Sequence, residues 1–118
     1  MQIETRLSDQ LSRYLDLAVS ETKVTAANMA NVDTPGYRTQ GFDFEAEMRK
    51  ALAIFGSQKA FPLHIQDVDG MISRPDGNNV SMDREGLNMA EAQLKFKTGV
   101  ALMRLENQRV MDAIHADK

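Results

Sequence analysis

Two long segments with helical periodicity lie at the two ends of this 118-residue chain, and they constrain its fold more than any other feature. Between Thr5 and Val32 there is no proline or glycine, and apolar or small residues recur every three or four positions. A helix of that length would run roughly 40 Å, which one small core cannot cover, so it needs a partner helix. Its repeating face consists of Leu7, Leu11, Tyr14, Ala18, Thr22, Thr25, Met29 and Val32.

The second periodic segment runs from about Asp83 to Ile114 and is the natural partner of the first. Asn107 lies within its stripe, and Leu94, Ala101 and Leu105 lie beside it. The apolar residues at heptad-like spacing are Phe96, Val100, Met103, Val110 and Ile114. The two segments together predict a mainly α fold in which the terminal helices pack on each other through Leu7, Leu11, Tyr14 and this second stripe.

The middle of the chain is rich in turn residues, including Pro35-Gly36, Asp69-Gly70 and a run from Pro75 to Asn79. Helical spacing from Phe44 to Phe55 predicts a short helix of about three turns. The segments 63–65 and 71–73 are candidates for the two strands of a β-hairpin around Asp69-Gly70. We therefore expect one structural domain with an N-terminal helix and turn in residues 1–36, an irregular middle in 37–82 and a C-terminal helix in 83–118.

Composition excludes several classes of function. A formal charge of -3 gives no electrostatic footprint for nucleic acid, which requires a clustered excess of Lys and Arg. With no cysteine, the chain has no disulfide, catalytic thiolate or zinc-thiolate site. The N-terminus lacks the pattern of a cleavable secretory signal, and no run approaches the ~20 apolar residues of a membrane span. If the protein leaves the cytoplasm, we expect another export route.

Residues that could carry chemistry are few and scattered. His64 and His115 have no second ligand at metal-binding spacing. Asp67, Asp69 and Gly70 resemble a fragment of a calcium loop, but Met71 stands where an oxygen ligand is needed. The sequence supplies no pocket that would shift the pKa values of its carboxylates. We expect no catalytic residue, cofactor, metal site or small-molecule substrate.

Several features of the stretch from Ala26 to Tyr37 together predict a helix end followed by a turn. Small residues permit close helix approach, and the helix must end before Pro35 because the preceding residue is pushed out of the α region. Pro35-Gly36 suits the centre of a type II turn, after which Tyr37 begins an extended segment. Asn28 and Asn31 can donate hydrogen bonds across a helix interface or to the departing backbone, and so help to fix the register.

This stretch resembles the N-terminal signature shared by flagellar axial proteins of the rod and hook, approximately Asn-Asn-Ile-Ala-Asn-x-x-Thr-Pro-Gly-Tyr. Ala27 and Met29 depart from it. The segment from Asn79 to Glu85 and the helix after it resemble the C-terminal pattern of a short proximal rod member of that family, and the chain length agrees. The residues that match the signature are Asn28, Ala30, Asn31, Thr34, Pro35, Gly36 and Tyr37.

The resemblance implies that the terminal helices pair as an antiparallel coiled coil and pack in a helical array around the export channel of the flagellar basal body rod. The protein would be a structural, self-assembling subunit of the motor drive shaft, located where the rod crosses the periplasm. Its partners would be other copies of itself, other rod proteins, the protein joining the rod to the MS ring and export gate, and the flagellar type III export apparatus.

Three alternatives remain open at this point. One is a different rod protein of the same family. Another is a helical adaptor that binds one partner helix in a groove and forms a discrete complex. The last is a metal enzyme that depends on the carboxylates of Asp67 or Asp69, which would show specific uptake of a divalent cation.

Overall fold

The fold consists of two long terminal helices with a small irregular layer between them. A computed structural model describes residues 5–53 and 62–116. Its principal extents are 69 × 25 × 20 Å, so the molecule is elongated. None of the described helices has the length and hydropathy needed to cross a membrane. The elements in chain order are α1 (Arg6–Ala30), β1 (Gln40–Gly41), α2 (Phe44–Leu52), β2 (Gln66–Asp67) and α3 (Met82–His115).

The two terminal helices run antiparallel, which confirms the predicted pairing. Contacts along their interface advance along α1 as they move back along α3. These contacts join Thr5 to Glu106, Leu15 to Gly99, Glu21 to Lys95 and Asn28 to Glu85. The observed ends of both helices lie within two residues of the predicted ends.

Hydroxyl and carboxylate side chains begin each helix. Thr5 caps α1 by accepting a hydrogen bond from the backbone N–H of Ser8, whose hydroxyl in turn accepts one from the N–H of Thr5. Asp43 caps α2, and Ser81 caps α3 by accepting from the N–H of Arg84. These caps satisfy N–H groups that have no partner within the helix, so they fix where each helix starts.

The seam between α1 and α3 follows a seven-residue repeat of small and polar side chains, as in a coiled coil. Gly99 makes room for a side chain of α1, since a Cβ added there would lie 2.6 Å from Cδ2 of Leu15. Few large side chains separate the helices, and the buried hydrophobic residues of the described part are Leu11, Ala18, Val80 and Ala92. The buried residues of the repeat are Leu11, Ala18 and Thr25 on α1 and Glu85, Ala92, Gly99 and Glu106 on α3.

The short helix α2 covers one broad side of the helix pair. The Phe44 ring meets Tyr14 edge to face at 5.5 Å, and Nζ of Lys95 lies 4.0 Å from the centre of the same ring. The helix confirms the prediction for this segment, although Phe55 lies outside the described residues. The opposite broad side of the pair receives no helix from the described residues.

The small sheet differs from the expected hairpin. β1 pairs antiparallel with β2, with Gln40 opposite Asp67 and Gly41 opposite Gln66. Segments 63–65 and 71–73 are not strands, and Asp69-Gly70 forms a turn in which Gly70 has φ +80°. The physical reason is that the chain after the first turn is held in place by α1 and offers β2 a fixed edge, so a distant segment replaces the local partner.

Candidate assembly site

Asn28 is the centre of a buried hydrogen-bond network where α1 ends. Its side chain is 1% exposed, and its Nδ2 donates to the carbonyl of Gln40 at 2.8 Å and to Oε2 of Glu85 at 3.1 Å. Its Oδ1 accepts from the Tyr37 hydroxyl and the Gln40 N–H, each at 3.0 Å. Two donors and two acceptor positions are the full capacity of an amide side chain. Asn28 therefore fixes the relative position of α1, α3 and the chain after the turn.

Glu85 carries a charge into the seam at the start of α3. It is fully buried, and its Oε1 accepts from Nη1 of Arg84 at 2.9 Å while Oε2 accepts from Asn28. A buried carboxylate is tolerated only when it is paired and hydrogen-bonded, and both conditions hold here. Its place in the first turn of α3 adds a favourable interaction with the helix dipole.

Tyr37 reaches the same network from the far side of the turn. Its hydroxyl donates to Oδ1 of Asn28. Burial raises the pKa of the Tyr37 phenol, and the nearby Glu85 carboxylate raises it further because a second negative charge is unfavourable there. The phenol stays neutral in the folded chain at a pH where an unfolded tyrosine begins to ionise.

This shift predicts an alkaline loss of stability. Because the folded pKa lies above the unfolded value, the contribution is complete below pH ~10 and is lost as pH rises through the folded pKa. The Tyr37→Phe variant should lack that component of the stability curve. Denaturant unfolding between neutral and alkaline pH checks this, and identical slopes for the variant and the wild type would contradict it.

The turn after α1 is held by short-range bonds. Nδ2 of Asn31 donates to the carbonyl of Ala27 at 2.8 Å, and the Thr34 hydroxyl donates to Oδ1 of Asn31 at 3.0 Å. The Tyr37 N–H closes the turn on the Thr34 carbonyl at 3.2 Å. Gly36 has φ +76°, as the third position of a type II turn requires.

A second loop, residues 74–80, packs directly on this turn. Nδ2 of Asn78 donates to the carbonyls of Asn31 and Thr34 at 2.8 and 2.9 Å, and the Asp76 carbonyl accepts from the Gly36 N–H at 2.9 Å. Gly77 lies next to Gly36 and has φ +86°, a backbone conformation that favours glycine. The two loops therefore act as one unit that ends α1 and leads into α3.

The sequence predicts residues 75–79 only as a turn, and their contact with the first loop is visible only in the structure. Arg74 strengthens that contact, donating to the carbonyl of Val80 at 3.0 Å and to the carbonyl of Val32. Asn79 accepts from the Thr39 N–H through Oδ1 at 2.6 Å. Its Nδ2 is buried without a hydrogen-bond partner in the described ranges. The one available signal was the adjacent pair of asparagines just before a helix cap.

At the other end of the seam, Thr5 and Glu106 form a second polar contact between α1 and α3. The Thr5 hydroxyl donates to Oε1 of Glu106 at 2.8 Å, and Glu106 is 3% exposed. This hydrogen bond lowers the pKa of the Glu106 carboxyl, and Arg109, with its guanidinium 3.1 Å away, lowers it further. The contribution of this carboxylate to stability is present above its unfolded pKa and is lost as pH falls through the folded pKa.

Most polar groups of these networks bind one another. Within residues 5–53 and 62–116, no group of three or more His, Asp or Glu side chains could hold a metal ion. Asp67 and Asp69 are exposed in β2 and the following turn, and His64 and His115 are exposed as well. The arrangement can order segments of the chain relative to one another.

Comparison with known proteins identifies the family. A family model described as Flagella basal body rod protein matches residues 16–38, which include Asn28 and the turn. The rod protein FlgB of Yersinia ruckeri is 32% identical over 75% of this chain and 79% of its own length. FlgB of Salmonella typhimurium is 30% identical over 85% and 86% of the two chains. This chain belongs to the FlgB family of flagellar basal body rod proteins.

Membership of the FlgB family agrees with the resemblance seen in the sequence. FlgB of Escherichia coli K12 is 28% identical over 86% of this chain and 88% of its own length, so the similarity extends well beyond the turn. As a member of this family, the chain is a structural subunit of the flagellar basal body rod.

The signature residues of this chain fall into two groups in the structure. The turn after α1 and the loop formed by residues 74–80 together make up the junction between α1 and α3. Five of the signature residues meet in this junction, where Asn28 is buried and the others surround the turn. Ala30 and Pro35 are exposed on its outer surface and make no side-chain hydrogen bond. The five that the fold brings together are Asn28, Asn31, Thr34, Gly36 and Tyr37.

The predicted packing stripe of α3 lies beside the observed seam, which is formed by other residues. Leu7, Phe96 and Ile114 are each more than 40% exposed. Leu11 is buried, and Tyr14, Val100, Met103 and Val110 are half-buried. The reason is that Ala, Gly and Glu occupy the seam of α3, so an apolar pattern cannot reveal it.

Proposed function

We propose that this FlgB-family chain assembles into the rod through the outer faces of α1 and α3, with its helices along the rod. The observation that carries the proposal is the placement of the large apolar side chains of α3. Leu87 is 70% exposed, and Leu94 and Leu105 are each 66% exposed. The seam, by contrast, holds Ala92 and Gly99. A chain that turns its leucines outward needs neighbours to cover them.

The small number of buried hydrophobic residues supports the proposal that folding is completed on assembly. Four buried hydrophobic residues in the described part make a small core for helices of 25 and 34 residues. Most helical stability in proteins comes from packing of an apolar face. Contacts with neighbours would supply what the isolated chain lacks, and the cost of ordering would keep assembly weak in the cytoplasm.

The partners we propose are other copies of this chain, other rod proteins and the protein that joins the rod to the MS ring and export gate. The flagellar type III apparatus would export the chain without a cleavable signal. We propose the division into residues 1–36, 37–82 and 83–118 as two assembly helices and a decorating middle, and a role that is structural rather than enzymatic. The family membership and the unpaired outer faces support these points.

Complementation in a flagellated host tests the proposal. The host lacks its own FlgB and carries this chain as the replacement. We expect the chain in isolated basal bodies, quantified by immunoblot against another rod protein, together with restored swimming. A chain that is expressed and folded but absent from basal bodies would contradict the proposal. A discrete one-to-one complex with a single partner would favour the adaptor alternative.

A further inference from the structure

Leu87, Leu94 and Leu105 lie in one row, the leucine ridge, along the outside of α3. They are spaced by seven and then eleven residues, and both spacings return to the same side of a helix. The ridge therefore runs about 27 Å along α3, on the side away from the seam residues Glu85 and Ala92. In the described part of the chain, no element packs on this side of α3.

A shallow groove lies on a different face of the same molecule. It runs between α1 and α3 on the broad side that α2 leaves uncovered. Val19 is 37% exposed there and Phe96 is 42% exposed, so the floor is apolar. The residues that line the groove are Val19, Thr22, Lys23, Gln93, Phe96 and Lys97.

The charges beside the two features are complementary. Lys23 and Lys97, at the groove, form no ion pair with any residue in the described ranges. Glu91, one helical turn before Leu94, is exposed and likewise has no cationic partner among those residues. Opposite charges around an apolar contact fix its register and favour the correct partner.

We propose that Leu94, from the leucine ridge of one copy, inserts into the groove of a second copy of this chain. A second copy is the occupant because one molecule carries both halves, apolar against apolar and acidic against basic. Ridge and groove lie on different faces, so the contact is head to tail and repeats from copy to copy. Leu94 and Phe96 stand at the same height on α3, so neighbouring copies lie side by side with a small axial offset. This inference rests on the proposed assembly function.

Disulfide trapping in basal bodies tests the contact, because the chain contains no cysteine of its own. In the deletion host, a chain carrying Leu94→Cys and Val19→Cys should give a ladder of dimers and larger oligomers on a non-reducing gel. A head-to-tail contact propagates the links, whereas a symmetric contact does not. The matched control carries Ile72→Cys and Val19→Cys, since Ile72 is an apolar residue that is 90% exposed and lies outside both long helices, and it should give no ladder.

The outcomes separate this inference from the function on which it rests. If the double-cysteine chain is present in basal bodies but gives no ladder, the ridge-and-groove contact is overturned and the rod function stands. A wild-type chain absent from basal bodies would overturn both. As a second variant, Leu94→Glu should reduce incorporation at least ten-fold while Ile72→Glu leaves it within two-fold of wild type. Equal incorporation of these two variants would also overturn the contact.

Discussion

Replacing Asn28 by aspartate should destabilise the folded chain by about 3–5 kcal/mol at neutral pH, the cost of leaving buried charge uncompensated. The substitution hardly changes the shape of the side chain but removes both N–H donors. The new carboxylate would then face Oε2 of Glu85, which now accepts from Asn28 at 3.1 Å, and the carbonyl of Gln40. For a small core this loss is comparable with the whole stability of the fold.

The destabilisation should depend on pH in a direction that identifies its cause. Two buried carboxyl groups at hydrogen-bond distance cannot both ionise, so one of them acquires a pKa above its unfolded value. Stability relative to the wild type is therefore recovered at acidic pH and lost as pH rises through that folded pKa. Thermal unfolding followed by circular dichroism from pH 4 to 8 measures this difference.

Asn107→Asp is the matched control for that experiment. Asn107 is exposed on α3, so the same chemical change should alter stability by less than about 0.5 kcal/mol. An Asn28→Asp variant as stable as this control at neutral pH would show that Asn28 does not link α1 and α3 in solution. A loss that is independent of pH would point to packing rather than to charge.

The Gly99→Ala substitution should destabilise the helix pair by about 1–2 kcal/mol, because overpacking outweighs the gain in helix propensity. A Cβ at this position would lie 2.6 Å from Cδ2 of Leu15 and 3.1 Å from Cδ1 of Tyr14. Either the helices separate or Leu15 leaves its rotamer, and both changes weaken the seam. Denaturant unfolding of the purified variant measures the change.

Gly86→Ala provides an internal comparison on the same helix. A Cβ there would meet nothing within 4 Å, so alanine should stabilise α3 by about 0.5–1 kcal/mol. The two identical substitutions are thus expected to have opposite signs. If both stabilise the chain by the same amount, the close approach of α1 and α3 at Gly99 does not exist in solution.

The lengths and types of the two terminal helices could be predicted because their periodicity is long and uninterrupted by proline. Pairing followed from the same reasoning, since a single helix of that length cannot cover itself. The face that α3 turns to α1 could not be predicted. Glu85, Ala92, Gly99 and Glu106 look like a polar or neutral side, and their burial depends on contacts with α1 that the pattern of α3 does not encode.

Of the two loops that form the junction, only the turn after α1 could be predicted from the sequence. The turn at Pro35-Gly36 has a local physical signature, and the amides of Asn28 and Asn31 were expected to bond to the backbone or across a helix interface. The second loop has the same composition as any exposed turn. Its contacts, such as Asn78 to the carbonyl of Asn31, join positions far apart in the sequence, and local propensity carries no information about them.

The pairing of the two strands also could not be predicted from local sequence. Residues 63–65 and 71–73 have stronger strand propensity than Gln40–Gly41 and Gln66–Asp67, yet the latter pair. Val68 also donates its N–H to the carbonyl of Thr39 at 3.0 Å, next to a backbone that Asn28 and Asn79 hold in place. Tertiary anchoring therefore outweighed local propensity.

Hydrogen exchange of the backbone amides, compared between the free chain and the chain within isolated basal bodies, tests the central claim most directly. If α1 and α3 are the assembly surfaces, amides of Arg6–Ala30 and Met82–His115 should exchange much more slowly in the rod, while residues 62–73 change little. Unchanged exchange in both helices, with protection confined to the middle of the chain, would show that the rod contacts lie elsewhere.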